Sequence, residues 1–182
     1  MKESEAASIA PIFIVGPPRC GTTLCARILG QLPSVHAPGE THFMEDIYSR
    51  LSEIGDLRSL ESRKALVSRL ETIYGRFNEP SDQERVEALM SSDDFREEML
   101  DSATDWQSAY SHFMNCQVRV IGARRWLNHT PKDIFYVEEL IQAFPEAKFL
   151  FCIRDPRDFL FSYKRKWKAT TDENSSRIRS LY

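Results

Sequence analysis

The feature that most constrains this chain is a short apolar run that stops at a glycine- and proline-rich loop and passes straight into a helix. Ile12-Phe13-Ile14-Val15 is β-branched or aromatic throughout, and Gly16-Pro17-Pro18 ends it at once. A brief apolar run with punctuated ends is the pattern of an inner strand in a parallel sheet. From Thr22 to Leu32, Leu24, Ile28 and Leu29 recur at helical spacing until Pro33 ends the pattern. The chain has only 7 glycines in 182 residues, and two of them, Gly16 and Gly21, bracket this loop. A strand, a tight turn and a helix in that order make the first unit of an α/β fold.

The same alternation returns near the other end. Val118 to Gly122 reads as a short strand, Asp133 to Phe144 as a helix stopped by Pro145, and Lys148 to Ile153 as a second apolar strand. Asp155-Pro156 then opens a helix, with Asp as N-cap and Pro at the first helical position. Between these α/β segments, residues from Phe43 to about Gln117 are rich in Glu, Asp, Arg, Ser and Leu. Helical candidates fall at Met44–Ile54, Ser59–Arg76, Gln83–Met90 and Asp105–Asn115, with a break at Asn78–Asp82. Leu60, Lys64, Val67, Leu70 and Tyr74 follow one stripe of the second candidate, leaving Glu61, Arg63, Arg69 and Glu71 for solvent. The expected architecture is a single α/β domain over 1–182, a three-layer parallel sheet flanked by helices, with a helical insertion at 43–117.

Charge and composition exclude several classes. With 24 Lys and Arg against 27 Asp and Glu, the net charge of −3 gives no general grip on nucleic acid or an anionic membrane. No apolar run approaches the ~20 residues of a membrane span, and the polar start, Met1 to Ala10, is no signal segment. The expected setting is cytoplasmic. The 4 cysteines, Cys20, Cys25, Cys116 and Cys152, form no C-x-x-C pair and accompany no paired histidines, so neither a metal nor a disulfide framework is implied. The last three read as small buried hydrophobes. Trp106, Tyr110 and Phe113 read as core, His36 and His42 as loop residues, and Lys164 to Lys168 as a solvated helix end.

The loop Gly16-Pro17-Pro18-Arg19-Cys20-Gly21-Thr22-Thr23 has the spacing of an anion cradle. Gly16 permits the sharp turn, Gly21 lets backbone approach an anion, and the helix aims unpaired N–H groups at it. A nucleoside-triphosphate loop would carry Lys where Thr22 stands. The positive charge sits earlier, at Arg19, whose planar guanidinium suits a pair of phosphate or sulfate oxygens. The loop therefore reads as built for a phosphate or sulfate other than the triphosphate of ATP.

The stretch P-I-F-I-V-G-P-P-R-C-G-T-T-L resembles the 5′-phosphosulfate loop of the sulfotransferases that use 3′-phosphoadenylyl sulfate (PAPS), with Cys20 in place of the usual Ser. Three further segments match in the same order. His36-Ala37-Pro38-Gly39-Glu40-Thr41 resembles the segment that carries the catalytic base, which falls on Glu40. Such a base takes the acceptor's hydroxyl proton as sulfur is attacked. Asn128-His129-Thr130-Pro131 resembles the family's K-T-P, with His129 at the position of the Lys that contacts the bridging oxygen; Lys132 and Arg124-Arg125 lie nearby. F-L-F-C-I-R-D-P-R-D-F-L-F-S-Y resembles the 3′-phosphate motif, with Arg154 ending a strand and Ser162 on the following helix, roughly 9 Å along from Pro156.

The resemblance implies a P-loop NTPase-like sulfotransferase fold and an enzyme that moves a sulfuryl group from PAPS to an acceptor hydroxyl or amine. Arg19, Cys20, Gly21, Thr22 and Thr23 would hold the 5′-phosphosulfate, and Arg154 and Ser162 the 3′-phosphate at a second anion site away from the loop. Glu40 would be the base and His129 a helper on the leaving group, with no metal. Family members continue past the 3′-phosphate helix, so the resemblance also implies that the C-terminal part of the domain is missing. Two other readings stay open: a PAPS- or 3′,5′-ADP-binding protein with weak catalysis, and a phosphotransferase in which Asp155 ligates magnesium. The acceptor, a small molecule, carbohydrate or peptide, is not legible.

Overall fold

The computed structural model describes residues 10–77, 88–90 and 92–173. The expected break at 78–82, positions 83–87 of the third helical candidate and the tail beyond 173 lie outside the described residues. So do the side chains of Tyr74, Arg165, Lys166 and Lys168.

Among the described residues four parallel strands form the sheet: β1 (Ile12–Val15), β2 (Val35–His36), β3 (Arg125–Asn128) and β4 (Lys148–Phe151), in the order β2-β3-β1-β4. Strand β1 is central, pairing Phe13 with Asn128 on one side and Val15 with Phe151 on the other. Its side chains alternate between two cores, as the period of two requires. Phe13 and Val15 face a large core shared with the insertion, whereas Ile14 joins Ala26, Leu127 and Cys152 in a smaller one under helix α1 (Thr22–Leu29). Helices on both faces of a parallel sheet make the expected three layers.

The insertion supplies most of the large core. After the short helix α2 (Phe43–Asp46), a 3₁₀ turn (Tyr48–Arg50) and α3 (Leu51–Ile54), α4 runs from Leu60 to Phe77. Its buried positions are Leu66, Val67, Leu70 and Ile73, while Leu60 and Lys64 are exposed. The expected stripe is thus rotated toward Leu66 and Ile73, because the helix packs on α5 (Asp93–Ser102), a helix the sequence reading does not contain. Arg63, expected on the solvent side, instead donates to the carbonyls of Leu57 and Leu100. Tyr110 and Phe113 are core as expected.

One strand assignment is corrected. Val118 to Gly122 is the end of helix α6 (Trp106–Ile121), and the strand in this region is β3 at Arg125–Asn128. Asp105 starts α6 with a capping box to Ser108, and Gly122, with φ at 74°, closes it in the left-handed conformation. The β-branched Val118, Val120 and Ile121 favour strand locally, but Val118 completes a buried helical face with Met114 and Gln117. Helix α1 is also shorter than expected, and its buried residues are Thr22 and Ala26; Leu24 and Ile28 stand exposed. A 3₁₀ turn (Pro131–Tyr136), helix α7 (Val137–Ala143) and helix α8 (Pro156–Glu173) complete the order.

Candidate functional site

The anion loop leaves β1 at its carboxyl end. A Cβ on Gly16 would lie 2.5 Å from the carbonyl oxygen of Cys152, so only glycine lets the loop pass this close to the end of β4. Gly21, the N-cap of α1, has φ at 102°, and no side chain caps the first turn. Arg19 takes the left-handed conformation at φ 69° without being glycine, a strained state that persists where surroundings enforce it. Thr22 is buried beneath the loop and Thr23 is exposed; Cys20 is half-buried.

The two sequence segments expected to grip opposite ends of a nucleotide meet directly. Arg19 Nε donates to Ser162 Oγ at 3.3 Å, and Arg154 Nη1 donates to the Arg19 carbonyl oxygen at 3.2 Å. The sequence reading sets the Arg154 and Ser162 site away from the loop; the structure sets it alongside. The reason is the sheet order: β4 pairs with β1 through four registered residues, so the segments leaving their carboxyl ends are neighbours. Asp155 caps α8 by accepting from the Arg157 backbone at 2.8 Å and pairs with the Arg157 guanidinium at 2.6 Å.

The other two segments also meet. Thr130 Oγ1 accepts the backbone N–H of Thr41 at 3.0 Å and of His42 at 3.3 Å, which pins the turn that carries Glu40. Thr41 Oγ1 and Thr130 Oγ1 both donate to Asn128 Oδ1, at 3.1 and 3.0 Å, and the Tyr110 hydroxyl bonds Thr41 Oγ1 at 3.3 Å. Tyr110 stacks on Phe43 with ring centroids 4.2 Å apart, which anchors the start of α2. Glu40 itself is partly open to solvent, and its Oε2 lies 3.3 Å from His42 Nε2. His129 is buried and its Nδ1 has no hydrogen-bond partner among the described residues.

A family model described as "Sulfotransferase family" matches residues 11–181, nearly the whole chain. The chain belongs to the sulfotransferase family. Among solved structures, sulfotransferase STF9 from Mycobacterium avium is similar at 17% identity with a TM-score of 0.41, over 92% of this chain and 48% of that one. The chain thus spans about half the length of that protein. At that TM-score the likeness carries no argument, and the family rests on the sequence match. No curated protein matches the sequence.

In this sulfotransferase-family chain the buried polar network is what the sequence reading lacks. Asn128, Thr130, Thr41 and Asp133 are polar yet buried. Asn128 Nδ2 donates to Asp133 Oδ2, while Asp133 Oδ1 has no partner among the described residues. Burial pushes the Asp133 carboxyl up to about 7, with the Asn128 bond opposing. Burial likewise lowers the His129 pKa, and the Glu40 charge offsets only part of this. His129 is therefore held toward its neutral form, able to offer one N–H rather than a positive charge. Lys132 pairs with the Glu45 carboxylate, and His36 bonds Gln117 at 3.0 Å inside the core. A polar residue at every second step, Asn128-x-Thr130, at the end of an apolar strand was the available signal.

The cysteines stay free. Cys25 and Cys152 have sulfurs 3.8 Å apart in the small core, and burial, with the Glu98 carboxylate that Cys116 contacts, pushes the Cys116 thiol up to about 12. Among the described residues no helix is long and apolar enough to cross a membrane.

Proposed function

We propose that this chain binds PAPS across the carboxyl ends of β1 and β4 and transfers its sulfuryl group to an acceptor hydroxyl or amine. The observation that carries the reading is the contact of the two anion segments: Arg19 on Ser162, and Arg154 on the Arg19 backbone. Two guanidiniums, a serine hydroxyl and an uncapped helix start gather where a parallel sheet binds ligands. They fit a donor that carries several anionic groups.

Arg19 and the N–H groups of Gly21, Thr22 and Thr23, with Cys20 in the usual serine position, hold the 5′-phosphosulfate. Arg154 and Ser162 hold the 3′-phosphate. The donor supplies the sulfuryl group: its bond to the acceptor oxygen or nitrogen forms as its bond to the phosphate oxygen breaks. Glu40 takes the acceptor proton, and Thr130 keeps the Glu40 turn in place through the two backbone N–H groups it accepts. His129, neutral, donates one N–H toward the departing phosphate. The arginines and loop N–H groups neutralise the anion.

Calorimetry with 3′,5′-ADP, ADP and ATP tests the grip. The expected order is 3′,5′-ADP tightest, with Arg154→Ala weakening it far more than it weakens 5′-AMP. Preference for ATP, or no dependence on the 3′-phosphate, overturns the reading. For the chemistry, Glu40→Gln should lower turnover by ~10²–10⁴ while 3′,5′-ADP binding persists; unchanged turnover removes Glu40 from its role. The buried, neutral His129 favours one second reading, a protein that binds this nucleotide with little turnover. Tight 3′,5′-ADP binding without release of 3′,5′-ADP from PAPS would select it. Asp155 is committed to Arg157 and to the start of α8, so magnesium-dependent phosphotransfer gains no support here.

A further inference from the structure

His42 was expected to be a plain loop residue, and its surroundings are not those of one. We infer that His42 is the positioning residue for the Glu40 carboxylate, the third member of a row Lys132–Glu45–His42–Glu40 whose charges alternate. This inference rests on the reading of Glu40 as the base.

Both imidazole nitrogens face carboxylates. Nε2 lies 3.3 Å from Glu40 Oε2 and Nδ1 lies 3.4 Å from Glu45 Oε2. A neutral imidazole has one N–H and serves one carboxylate, whereas the imidazolium donates to both. On its far side the Glu45 carboxylate is paired with Lys132, so Glu45 is held ionised and fixed. The His42 side chain is 16% exposed, while its two carboxylate partners stay partly open to water.

The backbone adds a separate observation. His42 has φ 50° and ψ 20°, the left-handed conformation that a non-glycine residue adopts only under strain. Its N–H and that of Thr41 both bond Thr130 Oγ1, which enforces this turn. The strained turn sets the imidazole between a carboxylate before it in sequence, Glu40, and one after it, Glu45. Extended backbone at position 42 would send the side chain elsewhere.

Burial alone would lower the His42 pKa, but the bonds and charges of Glu40 and Glu45 outweigh it and the net shift is upward. Asp133 from the 3₁₀ turn and His129 from the end of β3 also couple to its charge, and Lys132 acts on it only through Glu45. The proton on His42 is therefore held more tightly than on a free imidazole. While protonated, His42 donates to Glu40 Oε2 and holds that carboxylate in one orientation, ready to accept the acceptor proton. At higher pH His42 loses its proton and Glu40 loses a donor.

The test needs no acceptor. The imidazole C–H signal of His42 and the carboxyl carbon of Glu40 are titrated by NMR in the full chain, in the wild type, Glu40→Gln and His42→Gln. Wild-type His42 should titrate above 6.5, and Glu40→Gln should lower that value by at least ~0.5 pH unit. His42→Gln should raise the Glu40 carboxyl value while 3′,5′-ADP affinity stays within ~2-fold, since the nucleotide grip lies elsewhere. A His42 that titrates at or below 6.5, or ignores Glu40→Gln, overturns the inference. Glu40→Gln is partly exposed and survives as a test if His42→Gln does not fold. Turnover of Glu40→Gln is read separately: normal turnover sinks the base assignment, whereas an unresponsive His42 sinks only the positioning role.

Discussion

Replacing Thr130 with Val keeps the shape of a fully buried side chain and deletes the oxygen that holds the Glu40 turn. In the wild type that oxygen accepts from Thr41 N at 3.0 Å and His42 N at 3.3 Å, and its hydrogen goes to Asn128 Oδ1. Thr41 is buried, so its orphaned N–H forfeits roughly 1–3 kcal/mol. The His42 N–H is only part-buried and water can recover some of its bond. Asn128 Oδ1 keeps the Thr41 hydroxyl, so its loss is small. The expected destabilisation is about 2–4 kcal/mol, measured as a shift in urea midpoint at constant slope. Thr130→Ser keeps the hydroxyl and should cost well below half as much. Turnover of PAPS to 3′,5′-ADP should fall in Thr130→Val at temperatures where the variant is still folded, because Glu40 loses its fixed position. A Val variant as stable as the Ser variant would refute the claim that this single oxygen clamps the turn.

Three shorter predictions follow from neighbouring groups. The Asp133 carboxyl, pushed up by burial to about 7 from the ordinary 3.8, should take up its proton more readily in the folded chain than in the unfolded one. The folded state therefore holds the proton more tightly, and stability present below about 4 is lost as pH climbs through 7, by at most about 4 kcal/mol. Asp133→Asn should remove that slope and exceed the wild type in urea resistance at pH 8; a wild-type stability flat from pH 5 to 8 would contradict this. Gly16→Ala would put a Cβ against the Cys152 carbonyl oxygen at 2.5 Å, so a loss of about 1–3 kcal/mol and weaker 3′,5′-ADP binding are expected by melting and calorimetry. Ser162→Ala removes the hydroxyl that Arg19 contacts and should weaken 3′,5′-ADP several-fold with little change in melting temperature, because the contact is exposed.

Much of the fold was legible because it depends on local signals. The run Ile12–Val15 has the pattern of an inner strand, and the glycines and prolines after it favour a tight turn into a helix. The parallel α/β plan, the start of α8 at Asp155-Pro156 and the core role of Tyr110 and Phe113 followed from period and capping alone. The anion loop was legible from its spacing, and the other three candidate segments from their resemblance to sulfotransferase motifs, each a contiguous string whose chemistry travels with its residues.

Packing decided what no contiguous string contains. Val118 to Ile121 favour strand by themselves, yet a buried face one turn long and the Gly122 cap keep them helical. Whether Arg154 and Ser162 stand apart from Arg19 or touch it depends on β4 lying beside β1, and strand order is a property of the whole sheet. The same holds for His42. In the sequence it is one histidine after Gly-Glu-Thr; its meaning comes from Thr130, 88 positions away, which bends the turn and brings Glu40 and Glu45 to either side of one ring. Short-range preferences write the elements, but the pairing of distant polar groups depends on which surfaces exclude water together, and that is settled only when the sheet and insertion close on each other.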